Sequence, residues 1–206
     1  MLRQRFISWF SAAALLMGLA HAALAQQAPD ALVKQVSNEV LDAARADKSI
    51  QAGDVNKVMV LVEAKVMPHV NFQRMTSSAV GRYWRQATPD QQKRLQDEFK
   101  VLLVRTYAGA LAQVRDQSVQ LKPLRAGASD AEVVVKTEIR GKGDPIQLDY
   151  RMEKSDKGWK IYDVNVLGIW LVENYRNTFA QEISTGGIDG LITKMAERNK
   201  ASASKT

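Results

Sequence analysis

Asp163 and Tyr150 are the two side chains whose types and positions could support general acid–base chemistry. Asp163 lies in a run of alternating residues, and if it keeps the phase of Trp159 and Ile161 it faces apolar neighbours. An apolar environment would raise the pKa of the carboxyl group, so that an isomerase could use Asp163 as a base. The interpretation that we favour is an aspartate at a β-bulge, hydrogen-bonded to the backbone.

Composition excludes most other catalytic chemistry. The 206-residue chain has no cysteine, which excludes disulfides, thiolate zinc sites and a cysteine nucleophile. Of its two histidines, His21 and His69, the second could serve a Ser-His-Asp triad, but no G-x-S-x-G motif accompanies it. The segment 141–144, GKGD, lacks the rest of a phosphate-binding loop and predicts a hairpin turn. The sequence therefore predicts no catalytic set, no metal site and no cofactor.

Residues 1–25 have the pattern of a secretory signal peptide. Arg3 and Arg5 precede an apolar run, and Ala23 and Ala25 are the small residues of an A-x-A cleavage site. The alternative is a membrane anchor, for which an apolar run of about 14 residues is too short. We expect cleavage after Ala25 and a soluble exported protein with no stable membrane insertion.

Helical periodicity fills the first half of the remaining chain. Apolar residues recur every three or four positions in three successive segments; an Asp54 cap begins the second, and the third covers residues 70–86. Thr88, followed three residues later by Gln91, forms a capping-box start. The helix that it opens carries a wide apolar stripe and is predicted to run to Val114.

The second half changes to the alternating pattern of strands. Residues 131–140, 146–153 and 159–166 alternate apolar and polar side chains, with turns between them. The apolar phase of the last strand changes near Asp163, which predicts a bulge there. We therefore predict an α+β fold, in which helices pack on the apolar face of a curved antiparallel sheet.

The mature chain is predicted to form one domain over residues 26–198. After the strands come two helical segments, separated by the Thr-Gly-Gly break at residues 185–187. The tail, residues 199–206, is small and polar, and it is predicted to be disordered.

The chain is basic, with a formal net charge of +7. The segment 82–85, RYWR, could bind single-stranded nucleic acid, but the basic residues are spread along the chain and an exported protein seldom meets such a ligand. Anionic lipid surfaces or acidic proteins are more natural targets. We predict no nucleic-acid binding, and we predict that Arg82 and Arg85 dock partner proteins.

Several segments in order resemble one family. They are MPHVNF at 67–72, RYWRQATPDQQ at 82–92, GWKIYDV at 158–164, NYRNTF at 174–179 and GIDGL at 187–191. Together they are similar to the MlaC (toluene-tolerance) family over about residues 31–191. The chain departs from many relatives at residues 167–170, where LGIW replaces an acid-Gly-Val-Ser run, and at Asn71, where an aspartate is common.

The resemblance implies a phospholipid carrier of the periplasm, with phospholipid as cargo rather than cofactor. It implies a cone similar to nuclear transport factor 2 (NTF2) that holds acyl chains between sheet and helices. It also implies exchange of lipid with an outer-membrane lipoprotein–porin complex and with an inner-membrane ABC transporter that bears MCE domains, which would maintain the lipid asymmetry of the outer membrane.

We expect the acyl chains to contact apolar side chains from both layers. The predicted lipid-binding residues are Phe72, Met75, Trp84, Leu103, Tyr107, Leu111, Val133, Val135, Ile139, Leu148, Tyr150, Trp159, Ile161, Val166, Ile169 and Val172. Two alternatives remain open from the sequence. One is an NTF2-like isomerase that uses Asp163 and Tyr150, and the other is a periplasmic interaction or chaperone module whose core is filled by its own side chains.

Overall fold

The computed structural model of the protein describes residues 26–125, 127 and 129–203. The predicted signal peptide, residues 1–25, lies outside the described residues, and its cleavage stays a prediction. The α-helices are α1 Pro29–Ala46, α2 Lys48–Gln51, α3 Val55–Lys65, α4 Phe72–Val80, α5 Pro89–Ala112 and α6 Leu171–Ala203.

Side-chain caps begin four of these helices. At α4 the side chain of Asn71 accepts from the amide of Arg74 at 3.0 Å. Asp47 caps α2, and Asp54 caps α3 by accepting hydrogen bonds from two backbone amides. At α5 the predicted capping box is confirmed: Thr88 Oγ1 accepts from the amide of Gln91 at 3.2 Å, and the Gln91 side chain accepts from the amide of Thr88 at 3.0 Å. These bonds satisfy amides that a helix start leaves without partners.

Gly81 divides the third predicted helix. Its backbone adopts φ +64° and ψ −136°, which glycine tolerates and a helix interior does not. The chain therefore forms α4 followed by a 3₁₀ turn, Gly81–Gln86, and the prediction of one helix over residues 70–86 is wrong.

The strands form one open sheet in chain order. They are β1 Ser118–Leu121, β2 Glu132–Arg140, β3 Ile146–Ser155, β4 Gly158–Val166 and β5 Ile169–Trp170. Every neighbouring pair is antiparallel. The predicted α+β fold with a curved antiparallel sheet and packed helices is confirmed.

Helices α4, α5 and α6 enclose an aromatic cluster. Phe99 of α5 meets Tyr175 and Phe179 of α6 edge to face, with ring centroids 5.0 and 5.1 Å apart. Buried aliphatic residues from α4 and α6 surround these rings. We call this the helical cluster, and it fixes α5 to α6.

Two further clusters join helices to strands. In the sheet cluster, Leu32, Val33 and Val36 of α1 pack with Val133 and Val135 of β2 and with neighbouring residues of β3 and β4. In the junction cluster, residues of α1, α3 and α5 pack with Val119 of β1. Helix α1 thus supplies the main apolar cover over the first half of the sheet.

Helix α6 bends at Gly187 and runs past the predicted end of the domain. Gly187 has φ +69°, so the predicted break within this segment is confirmed. Beyond it, Asn199 is buried and donates to the backbone carbonyl of Glu98 at 3.0 Å. The helix reaches Ala203, so the first residues of the tail that was predicted to be disordered are helical.

Candidate functional site

Pairing between strands fixes which residues share each face of the sheet. Val135 lies opposite Tyr150, and Tyr150 lies opposite Val164. Paired residues point to the same side, so these three lie on one face, which we call the apolar face. The alternating residues form the polar face, where Asp149 and Asn165 are buried and paired with each other.

A bulge in β4 determines whether the candidate acid–base pair, Asp163 and Tyr150, shares one face of the sheet. The register shifts between Arg151 and Met152, so that Asp163 pairs with Arg151 and Tyr162 is the extra residue. The insertion places Asp163 on the polar face, opposite to Tyr150. The predicted bulge is confirmed, whereas the hypothesis that the two side chains share a pocket is wrong.

Asp163 is an anchor for α6. Its Oδ1 accepts from the amides of Val164 at 2.9 Å and Val172 at 3.1 Å, and its Oδ2 accepts from Arg151 at 3.0 Å. Burial raises the pKa of Asp163, and the backbone hydrogen bonds and the arginine oppose that rise. The carboxyl group therefore joins β4 to the start of α6.

Arg74 ties α4 to the polar face. It hydrogen-bonds Glu132 at 2.7 Å and also Glu153, and its guanidinium lies 3.6 Å from the ring centroid of Tyr162. Tyr162 donates to Glu132 at 2.9 Å, and Asn71 donates to Glu153 at 2.6 Å. The hydrogen bond from Arg74 is the largest cause of the lowered pKa of Glu132. This network fixes the end of the sheet at which α4 begins.

On the apolar face, Tyr150 keeps accessible surface although protein surrounds it. Burial raises the pKa of Tyr150, while hydrogen bonds with Ser37 of α1 and with Thr137 oppose that rise. On α5, Tyr107 is also partly accessible, and burial raises its pKa. An enclosed ring with accessible surface borders space that no neighbouring side chain fills.

Helix α5 packs mainly on other helices rather than on the strands. The strands are packed mainly by α1, α4 and α6. Leu103, Tyr107 and Leu111 recur every fourth residue along α5, and all three are partly accessible. These residues form an apolar stripe that the packing of α5 leaves incompletely covered.

The apolar face reaches solvent where β3 begins and β4 ends. Leu148 pairs with Val166, which pairs with Ile169, and exposure increases along this row until Ile169 is 56% exposed. Nearby, Ile146 is 41% and Leu167 is 65% exposed. We call Ile146, Leu167 and Ile169 the rim.

The turn between β4 and β5 is strained. Leu167 has φ +53° and Gly168 has φ +89°, as in the tight hairpin turns that favour Asn-Gly. The left-handed conformation costs a residue with a side chain roughly 1–2 kcal/mol. The amide of Leu167 donates to the carbonyl of Gln147 at 3.0 Å, and that of Gly168 donates to Asn165 Oδ1 at 2.8 Å.

The predicted lipid-binding residues fall in four places. Met75 and Val172 are buried in the helical cluster, with Phe72, Trp84 and Leu103 packed against it. Leu111 and Ile139 border the junction cluster. Val133, Val135 and Ile161 are buried in the sheet cluster, with Tyr150 and Trp159 packed against it. The remaining four residues are partly or fully exposed, and they are Tyr107, Leu148, Val166 and Ile169.

The predicted docking arginines are both exposed, in the 3₁₀ turn that follows α4. Arg82 donates to the hydroxyl of Tyr83 at 2.9 Å and lies 4.9 Å from that ring's centroid. Trp84, between the two arginines in sequence, packs against the helical cluster.

Two surface depressions are of similar size. One, of about 500 Å³, is lined by residues that include Asn71, Phe72 and Lys160, and the other, of about 490 Å³, includes Arg105. Phe72, one of the predicted lipid-binding residues, therefore lines the first depression. Among the described residues, no cluster of three or more acidic or histidine side chains could hold a metal ion. In the same part of the chain, no helix is both long and apolar enough to cross a membrane.

Comparison with known proteins agrees with this architecture. A family model described as "MlaC protein" matches residues 34–197. The chain belongs to the MlaC family. The resemblance carried by the segments between residues 67 and 191 is thereby confirmed.

The matches to two curated relatives cover most of this chain and most of each relative. The chain is 26% identical over 179 residues to the intermembrane phospholipid transport system binding protein MlaC of Haemophilus influenzae, covering 85% of this chain and 84% of the relative. It is 26% identical over 185 residues to the toluene tolerance protein ttg2D of Pseudomonas putida, covering 86% of each.

One solved structure is more similar. The phospholipid-binding protein of Ralstonia solanacearum, determined in complex with a phospholipid, is 49% identical to this chain. The two structures superpose with a TM-score of 0.82, covering 84% of this chain and 98% of the other. The fold of this MlaC-family member is therefore one that has been solved with a phospholipid bound.

Sequence reasoning missed two features of the site. It identified residues 167–170 as a departure from the family but did not predict the tight turn at Leu167, because Leu-Gly is not one of the pairs typical of such turns. It also missed the network around Arg74, which joins residues far apart in sequence and carries no local pattern.

Proposed function

We propose that this protein binds and transports phospholipid, and that it holds the acyl chains between α5 and the apolar face of the sheet. The names of the relatives support transport, and the phospholipid-bound structure of the 49% identical neighbour supports the cargo. In this proposal phospholipid is the ligand, and no cofactor takes part.

The observation that carries the proposal is the accessible surface of Tyr150 inside the layer between sheet and helices. Leu148 and Val166 continue that surface toward solvent, and Tyr107 is a partly accessible residue of the α5 stripe. A core filled by its own side chains, as an interaction or chaperone module would have, leaves few such surfaces. The arrangement suits a ligand that is long and apolar.

The energetics of a carrier also favour an apolar site with few polar groups. Burying each methylene is worth about 0.8 kcal/mol relative to water, so two acyl chains with ~30 methylenes represent roughly 24 kcal/mol. A bilayer shelters the chains equally well. Transfer from membrane to carrier is therefore nearly balanced when the site is dry and makes little use of the headgroup.

The finer parts of the proposal concern location and partners. The signal peptide pattern supports export to the periplasm, where the carrier would move lipid between an outer-membrane lipoprotein–porin complex and an inner-membrane MCE-domain transporter. Arg82 and Arg85 are exposed cations available for weak docking. This traffic would maintain outer-membrane lipid asymmetry.

The proposal involves binding and not catalysis. An isomerase built on Asp163 and Tyr150 needs both groups in one pocket, and the bulge places them on opposite faces. Asp163 also uses both oxygens in hydrogen bonds to backbone and Arg151.

Native mass spectrometry of protein purified without detergent tests the proposal. We expect a mass increment that matches phospholipid, and extraction should recover the same lipid. Tyr107→Glu and Ile169→Glu should lose most of it with little change in circular dichroism, because a charge is costly to bury beside acyl chains. Val60→Glu, at a residue of α3 that is 66% exposed, is the matched control and should keep the lipid. Lipid-free wild type, or full lipid content in both site variants, would contradict the proposal.

A further inference from the structure

We propose that the rim, Ile146, Leu167 and Ile169, is the surface over which acyl chains pass when phospholipid enters and leaves the apolar face. This inference rests on the proposed function and assigns a role in the rate of exchange to residues outside the closed core. Leu167 is its central residue.

The rim concentrates apolar exposure that is scattered elsewhere. The large exposed apolar residues in the described part of the chain are Val60, Val134, Ile146, Leu167 and Ile169. Three of these five form the rim, at one end of the sheet, whereas Val60 lies on α3 and Val134 lies on the polar face. Single exposed aliphatic residues are ordinary, but a group of them marks a surface that meets something apolar.

The backbone at Leu167 is strained to present that side chain. With φ +53°, it occupies a position where Asn or Gly is normally found, followed by Gly168 at φ +89°. Two hydrogen bonds, to the carbonyl of Gln147 and to Asn165 Oδ1, hold the turn. Strain of this kind persists mainly where the strained residue has a function.

The exposure of Leu167 indicates a passage and not a lid. A residue that closes an opening is covered by what it closes, whereas Leu167 is 65% exposed. The rim continues the row of Leu148, Val166 and Ile169, so apolar contact extends from the interior to solvent. An acyl chain that crosses this row exposes less of its surface to water during transit, which lowers the barrier in proportion to the area covered.

Because the acyl chain touches Leu167 only in transit, substitutions of Leu167 should change rates and not equilibrium lipid content. Leu167→Asn removes the apolar side chain and suits the turn better, and Leu167→Gly does the same with a different residue. Neither should lower the melting temperature. Leu167→Met keeps an apolar side chain, and Val60→Asn removes an exposed aliphatic residue elsewhere.

The experiment measures release of pyrene-labelled phosphatidylethanolamine from the loaded full chain to excess methyl-β-cyclodextrin. We expect both Leu167→Asn and Leu167→Gly to slow release at least threefold with unchanged lipid content, while Leu167→Met and Val60→Asn keep the wild-type rate. If Leu167→Asn or Leu167→Gly releases lipid at the wild-type rate or faster, the proposed role of the rim is wrong and the proposed function is unaffected. A wild-type protein that takes up no labelled lipid overturns the proposed function and the rim together.

Discussion

Asp163 and Tyr150 lie on opposite faces of the sheet, because β4 accommodates Tyr162 as one extra residue before Asp163. Asp163 is thereby available to hold the start of α6 through the amide of Val172 at 3.1 Å. Tyr150 remains in the apolar layer, where burial raises its pKa and Ser37 of α1 opposes that rise. A single insertion thus separates the group that fixes the helix from the ring that borders the proposed ligand site.

Because Asp163 is buried, its ionisation should make the stability of the protein depend on pH. Burial raises the pKa of Asp163 above its ordinary value of 3.8, so the folded protein holds this proton more tightly than the unfolded chain does. The contribution of Asp163 to stability is therefore fully present below the unfolded pKa and declines as pH rises through the folded pKa.

Asp163→Asn removes this titration, so the melting temperature of wild type minus that of the variant should be larger at about pH 4 than at about pH 7. Asp156→Asn, in the exposed turn between β3 and β4, makes the same charge change and serves as the control. A melting-temperature difference between wild type and Asp163→Asn that grows toward neutral pH would contradict this prediction, because it would mean that the fold favours the carboxylate form.

The network around Arg74 should matter more than an exposed ion pair. Arg74→Gln leaves Glu132 and Glu153 without their cation, and we expect it to lower the free energy of unfolding by about 2 kcal/mol. Lys93→Gln breaks an exposed pair with Asp97 at 2.5 Å on α5, where about 0.3 kcal/mol is expected. Urea denaturation measures both, and equal losses would remove the special role of Arg74.

Local patterns in the sequence predicted most of the fold. The capping box at Thr88 and the alternation of β2 and β3 depend on residues close together in the chain, and both are confirmed. The division at Gly81 was missed because a single glycine in a helical pattern is also compatible with a continuous helix. The phase of Asp163 stayed ambiguous until strand pairing fixed which residue of the bulge is extra.

The site was less predictable because it depends on packing between distant segments. Val133 and Tyr107 are both apolar positions facing the interior, yet one is buried under α1 and the other keeps accessible surface. The difference follows from α5 packing on helices while α1 packs on the sheet. The spacing of apolar residues within either helix does not indicate whether that helix packs on the sheet or on other helices.

The docking proposal makes a prediction that depends on salt. Arg85→Glu should slow lipid exchange with partner complexes several-fold, and the loss should deepen at low ionic strength, where charges are least screened. Lipid content of the purified carrier should not change. Lys57→Glu on α3 makes the same charge change at another exposed position and should exchange normally. Equal exchange by Arg85→Glu and wild type at every ionic strength would leave Arg85 without a docking role.

The most direct test of the account is where bound phospholipid lies. A photoreactive benzoylphenylalanine at Leu148, on the apolar face, should crosslink the phospholipid that copurifies with the protein, and mass spectrometry of the peptides should show the adduct on β3. The same residue placed at Val134, on the opposite face of the same sheet, should give no adduct. Crosslinking at Val134 with none at Leu148 would contradict a site on the apolar face.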